Sequence, residues 1–315
     1  MKDAAPNEGA GFDKDIMRLA VFTKNLTNPA YGAARLGAER AAAALGGVEV
    51  LHFVPPTPDD PAQQRALIAE ALALRPLPDA FVLSPVHASQ VDPAIRRVAE
   101  AGIPMIGFVN PIDAAPSVAY VSSDDHALAL GIARHLFQHL QGTGRVLIVT
   151  GPTASFTSNE RLRGFREAAA AFPGITVVDV IAGDYARDTA RERTAQWLRE
   201  HARLDACLVA NDIMAVGVLD ALDAAGRRAA VVGVNAIPQA IEAIAAGRML
   251  ATADFNAMQM AYLAAECAVR HVRGEAVPAR IELPVQIVDR SNCQPWNLPY
   301  EQRPVITLEQ LRRQT

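Results

Sequence analysis

Three asparagines stand directly behind short apolar runs: Asn110 after IPMIGFV, Asn211 after ACLVA and Asn235 after AAVVGV. An amide brings a hydrogen-bond donor and an acceptor but no net charge, so several of them facing one space suit a ligand rich in hydroxyl groups. Each bond of that kind contributes on the order of 1 kcal/mol net, and a misplaced hydroxyl costs about 1–3. Asn25 and Asn28 add two amides in the loop KNLTNPAYG, with Tyr31 just beyond. Tyr31, Phe156, Tyr185 and Phe255 offer flat faces to the apolar side of a sugar ring or polyol chain. Ser84, His87, Asp125, Asn159 and Arg161 complete the candidate set, each in a loop behind an apolar run or at the start of a helix. Every one also has a plainer reading. Asparagine at a strand end is a turn former or helix cap, His87 a solvated loop residue, and Arg161 a surface arginine.

Catalytic signatures do not appear. The sequence has no GxSxG, GxxxxGK[ST] or HExxH, and no GxGxxG behind a strand. Its seven histidines show no ligand spacing, and Cys207, Cys267 and Cys293 lie far apart. No catalytic residue, metal site or cofactor is therefore expected, and the chain reads as a non-enzyme. Thirty basic and 34 acidic residues are interspersed, for a net charge of −4, so no basic face for nucleic acid is expected. No apolar run approaches the roughly 20 residues of a membrane span. Residues 1–15 lack an apolar signal core and read as a flexible leader of the kind that follows a cleavage site.

The elements that position these residues follow from the apolar pattern. LAVFT is a short apolar run without alternation, as in a parallel strand covered on both faces, and a polar loop and the Ala-rich helix ARLGAERAAAAL follow it. Asn28 with Pro29 and Asp60 with Pro61 are helix starts. VEVLHFV, DAFVLSP and IPMIGFVN continue the alternation, which demands a right-handed, doubly wound parallel sheet. VAYVSSDD breaks the rhythm and reads as a crossover. RVLIVT, its polar loop and FREAAAAF then repeat the opening unit, predicting a second similar lobe. A long helix at 257–273 has no place except back on the first lobe, and ELPVQIVDR is read as one last strand. The expected division is 16–123 plus 256–285 for the first lobe and 124–255 plus 286–315 for the second. Crossings fall near Ser122–Asp124, Asp254–Asn256 and Pro284–Val288, and the Pro-rich tail wraps the second lobe. Loops at the carboxyl ends of both sheets then face one cleft, around a hinge of three connections.

NLTNPAYGAARLGAERAAAALG, SNERLRGFREA, LVANDIMAVGVLDALDAAG and VVGVNAIPQAIEAIAAGRMLATADF, within residues 17–290, resemble the type I periplasmic binding proteins of ABC transporters, the ribose and galactose receptors. The resemblance implies the two-lobed α/β fold, three crossover strands and hinge closure. It also implies a periplasmic, monomeric receptor that delivers a small neutral sugar or sugar alcohol to a transporter permease. It places Asn28, Ala30 and Tyr31 on the family's first-loop asparagine and aromatic pair. Asn159 falls on a sugar-binding arginine, Tyr185 on a stacking aromatic, Asn211 on the asparagine of its ND pair, Asn235 on a binding aspartate and Phe255 on a binding glutamine. Val109 and Asn110 replace an Asp-Arg pair, so the charged clamps of pentose and hexose receptors are expected to be mostly missing. A second implied role is ligand sensing for a chemoreceptor or sensor kinase, or the effector domain of a lactose-repressor-like regulator lacking its DNA-binding part.

Overall fold

The computed structural model describes residues 16–313; the expected leader lies outside them. The chain opens with β1 (Met17–Phe22), α1 (Pro29–Leu45), β2 (Val48–Phe53), α2 (Pro61–Ala73), β3 (Ala80–Leu83), α3 (Asp92–Glu100), β4 (Met105–Phe108) and β5 (Ala119–Ser123). It then enters a second lobe through α4 (Asp125–His139), β6 (Thr143–Thr150), α5 (Phe156–Ala170) and β7 (Gly174–Ala182). That lobe continues with α6 (Arg187–Glu200), β8 (Ala206–Val209), α7 (Asp212–Ala224), β9 (Ala230–Val234), α8 (Pro238–Ala245) and β10 (Ala251–Asp254). The chain returns for α9 (Ala257–Val272) and β11 (Arg280–Leu283), crosses again to β12 (Gln286–Asp289), and ends in two 3-10 turns and α10 (Leu308–Arg312).

The strand orders are β2-β1-β3-β4-β5-β11 and β7-β6-β8-β9-β10-β12, two copies of one doubly wound plan. All pairings are parallel except β10 with β12. Central strands β3, β4 and β8 are buried at every position, as strands covered on both faces must be. Asn28 and Asp60 cap α1 and α2 through their side chains, with Pro29 and Pro61 at the first helical positions. The long helix α9 does pack on the first lobe, against α1, β3, β4 and β5. Gly37 makes that packing possible, because a Cβ there would stand 2.1 Å from the carbonyl oxygen of Met258. No helix among the described residues is long and apolar enough to cross a membrane.

Two expectations are corrected. ELPVQIVDR is not one strand: Pro284 lacks the N–H a ladder requires, and β11 and β12 on either side of it join different sheets. The tail does not stay on the second lobe. It begins there, with the turn Gln294–Asn297 against α8 and Trp296 Nε1 donating to Asp254 Oδ2 at 2.9 Å. It then returns to the first lobe. Arg40 of α1 donates to the Arg303 carbonyl at 2.7 Å, Gln259 of α9 exchanges two hydrogen bonds with Ile306, and Leu308 N donates to the buried Glu266. The buried amide and carboxylate on α9 need partners there, and residues 306–308 supply them. The tail is thus a fourth connection between the lobes.

Candidate functional site

The loops behind β1, β2, β6, β7, β8, β9 and β10 meet at one cavity between the lobes. It is lined by Asn25, Asn28, Ala30, Tyr31 and Asp59 from the first lobe, and by Thr157, Arg161, Tyr185, Asn211, Asn235 and Phe255 from the second and its crossing. Its volume is only about 20 Å³, room for about one water molecule. The lining side chains nearly fill this space, so a ring requires them to move apart.

Local geometry explains how the amides are presented. Asn28 Oδ1 accepts the Ala30 N–H at 3.0 Å, and Asn211 Oδ1 accepts the Met214 N–H at 3.0 Å, so each caps a helix. The capping bond fixes which end of the amide is oxygen. Each Nδ2 remains without a hydrogen bond among the described residues. Asn235 sits at φ 131, and its Oδ1 is buried with no partner. Asp59, Asp184, Tyr185 and Ala236 also adopt positive φ. Such conformations cost about 1–3 kcal/mol each and concentrate where side chains must be aimed. Tyr185 lies over the turn behind β6, where a Cβ on Gly151 would fall 2.4 Å from its ring. Its hydroxyl pairs with Thr157 Oγ1 at 3.0 Å.

Charge enters the cleft in matched pairs. Arg161 and Asp125, both buried, pair at 2.7 Å, and Arg161 also donates to the Ala210 carbonyl at 2.6 Å. The guanidinium lies 4.9 Å from the Phe255 ring centroid. Burial pushes the Asp125 carboxyl up and Arg161 opposes it, whereas for Arg161 burial is outweighed by Asp125, Tyr185 and Tyr31 together. In the first lobe Lys24, fully buried, pairs with Asp59 at 3.3 Å, and Asp59 also accepts from Asn25 Nδ2. Burial would lower the Lys24 pKa, but Tyr31, Asp59 and Tyr185 together hold it above its ordinary value. Lys24 and Asp59 were not among the sequence candidates. Both charged pairs at the cleft are therefore spent on their own partners.

The structure brings together Asn28, Tyr31, Tyr185, Asn211, Asn235 and Phe255, with Asn25 and Arg161. The other candidates are placed elsewhere. Asn110 Nδ2 is taken by the Pro85 carbonyl at 2.7 Å, and Asn159, exposed, donates to the Thr153 carbonyl at 3.0 Å. Asp125 is engaged by Arg161 and lines a separate groove rather than this cavity. Ser84 is buried outside the cavity, and His87 Nδ1 accepts the Ser89 and Gln90 N–H groups as a turn former. Phe156 is exposed and lines a separate open groove with Tyr120 and Arg280.

Asp212, beside Asn211, is buried and accepts from Thr252 Oγ1 at 2.7 Å and from Ile237 N at 3.1 Å. Burial pushes its carboxyl up to about 7 against these bonds. The folded state then holds a proton that the unfolded chain releases above its ordinary value of 3.8. Stability from this group is present below that value and is lost as pH rises toward 7. Unfolding free energies from urea titrations between pH 4 and 8 should fall more steeply in the parent than in Asp212→Asn, by up to a few kcal/mol over the window. Parallel curves would refute the assignment.

No group of three or more His, Cys, Asp or Glu among the described residues is arranged to hold a metal ion. A model of the periplasmic binding protein domain matches residues 19–276. The D-ribose/D-allose-binding protein of Pseudomonas aeruginosa is 28% identical over 67% of this chain and 69% of its own. The ribose import binding protein RbsB of Escherichia coli is 27% identical over 87% of this chain and 90% of its own. The solved periplasmic solute binding protein of an ABC transporter from Actinobacillus succinogenes, with bound D-allose, superposes with a TM-score of 0.82. It is 25% identical and covers 88% of this chain and 99% of its own. With its paired sheets, crossings and facing loops, the chain belongs to the periplasmic binding protein domain family.

Proposed function

We propose that this protein is a receptor, not an enzyme, that closes its lobes around a neutral sugar or sugar alcohol in the periplasm and delivers it to an ABC transporter. Asn28, Tyr31, Tyr185, Asn211, Asn235 and Phe255 form the ligand contacts. The observation that carries the reading is the set of unspent amide groups: buried Asn235 Oδ1 without a partner and the open Nδ2 groups of Asn28 and Asn211. An orphaned buried acceptor costs about 1–3 kcal/mol unless something supplies a donor, and a hydroxyl does. Because Lys24 pairs with Asp59 and Arg161 with Asp125, the cleft holds no surplus charge that would select an ionic ligand. The names of the relatives, which include ribose- and allose-binding proteins, support the same class.

Titration with D-ribose, D-allose, xylitol and myo-inositol should show saturable binding to at least one, with a decrease in radius of gyration by X-ray scattering. Asn235→Ala should weaken that binding about 5- to 150-fold, equivalent to 1–3 kcal/mol. Absence of both binding and compaction across a broad sugar and polyol panel would end this reading.

A further inference from the structure

Behind the cleft lies a much larger cavity, of about 320 Å³. Its walls are mostly apolar: Met258 and Leu263 of α9, Leu283 at the third crossing, and Trp296, Tyr300 and Ile306 of the tail. The two cavities share Ala30 and Asn235, so a methyl group and an amide stand between them. Any longer side chain at position 30 would narrow that junction. The polar groups around the larger cavity are mostly spent. Asp254 accepts from Trp296 Nε1 and Asn256 N, while Arg303 donates to the carbonyls of Leu298, Trp296 and Ala236 and lies 4.2 Å from the centroid of the Tyr300 ring. The buried exceptions are Asn235 Oδ1, which has no partner, and the Tyr300 hydroxyl, which makes no well-formed hydrogen bond beyond its contact with Arg303.

A bare monosaccharide in the cleft would leave this space, and the Tyr300 hydroxyl, unused. We propose that the preferred ligand is a substituted polyol. Its hydroxylated ring lies among the amides, and a short apolar substituent passes between Ala30 and Asn235 into the space beneath the tail. The proposal rests on the receptor reading and names the ligand class within it, an O-alkyl or O-aryl derivative of a sugar or cyclitol. Apolar surface supplies the attraction, since a buried methylene contributes about 0.8 kcal/mol. An oxygen near the end of the substituent would meet Tyr300.

Calorimetric titration of D-ribose, D-allose and myo-inositol against their butyl and phenyl glycosides or ethers tests this. At least one substituted form should bind about tenfold tighter than its parent, as a few buried methylenes require. Ala30→Phe, which closes the junction, should bring the ratio of substituted to parent affinity to about one. Ile306→Trp fills the same space from the exposed tail, away from the cleft, and should lower the ratio likewise if Ala30→Phe fails to fold. In a Trp197→Phe background the remaining indole, Trp296, should change its emission with the substituted ligand and not with the parent. Parents that bind while no substituted form gains, or a gain that survives both fillings, would overturn the second chamber and leave the receptor reading intact. If neither parents nor derivatives bind, the receptor reading fails and this inference with it.

Discussion

Replacing Arg161 by alanine is expected to destabilise the protein by about 3–5 kcal/mol, the usual cost of leaving a buried charge without its partner. Asp125 is 4% exposed and Arg161 is 3% exposed, so water cannot take over the lost contact. The same substitution orphans the Ala210 carbonyl and removes the cation over the Phe255 ring. The damage is therefore to stability and to the shape of the cleft together. Arg161→Met with Asp125→Leu removes both charges at once and should recover more than half of the loss, since a buried pair exchanged for apolar groups is often close to neutral. Urea unfolding of the two variants and the parent checks this. A loss below about 1 kcal/mol for Arg161→Ala would show that the pair is solvated in solution, as exposed pairs are.

Gly37→Leu should cost about 3 kcal/mol or more. The first carbon of the side chain already falls 2.1 Å from the Met258 carbonyl oxygen, so helices α1 and α9 must separate before the rest of the residue finds room. Overpacking of a close contact costs about 1–3 kcal/mol, and here the obstruction is backbone that cannot rotate away. Both helices start at the cleft, α1 with Asn28 and Tyr31 and α9 just behind Phe255. Ligand affinity should fall along with the melting temperature. Gly32→Ala, on the same helix, is the matched control: the nearest atom to its new Cβ is Arg35 Nη2 at 3.8 Å. That variant should stay within about 0.5 kcal/mol of the parent. Equal melting temperatures for the two variants would contradict the tight packing of α1 on α9.

Much of the architecture was legible because its signals are local. Apolar runs without alternation marked the strands, Asn28 and Asp60 marked helix starts, and the repeat of the opening unit announced a second sheet. The return of α9 followed from counting elements against available faces. What depended on side-chain rotation or distant pairing was not legible. Asn110 occupies its expected loop, whereas Asn159 falls in the first turn of α5; they turn to the carbonyls of Pro85 and Thr153, choices made by neighbours far away or by the local turn. Lys24 and Asp59 are 35 positions apart, and only the parallel pairing of β1 with β2 brings their loops together. A lysine directly behind a buried strand was the available signal. The break at Pro284 was also readable from the missing N–H, but the strand pattern on either side masked it.

The winding of the chain has a consequence for biogenesis. The first sheet takes its edge strand from Arg280–Leu283 and its covering helix from Ala257–Val272, and Glu266 in that helix waits for the Leu308 N–H. Domains commonly fold in order as they leave the ribosome. Here the lobe that starts first cannot be finished first: its last pieces are translated after the whole second sheet except β12. A nascent chain stalled near residue 250 would hold five strands of the first sheet with an uncovered apolar face.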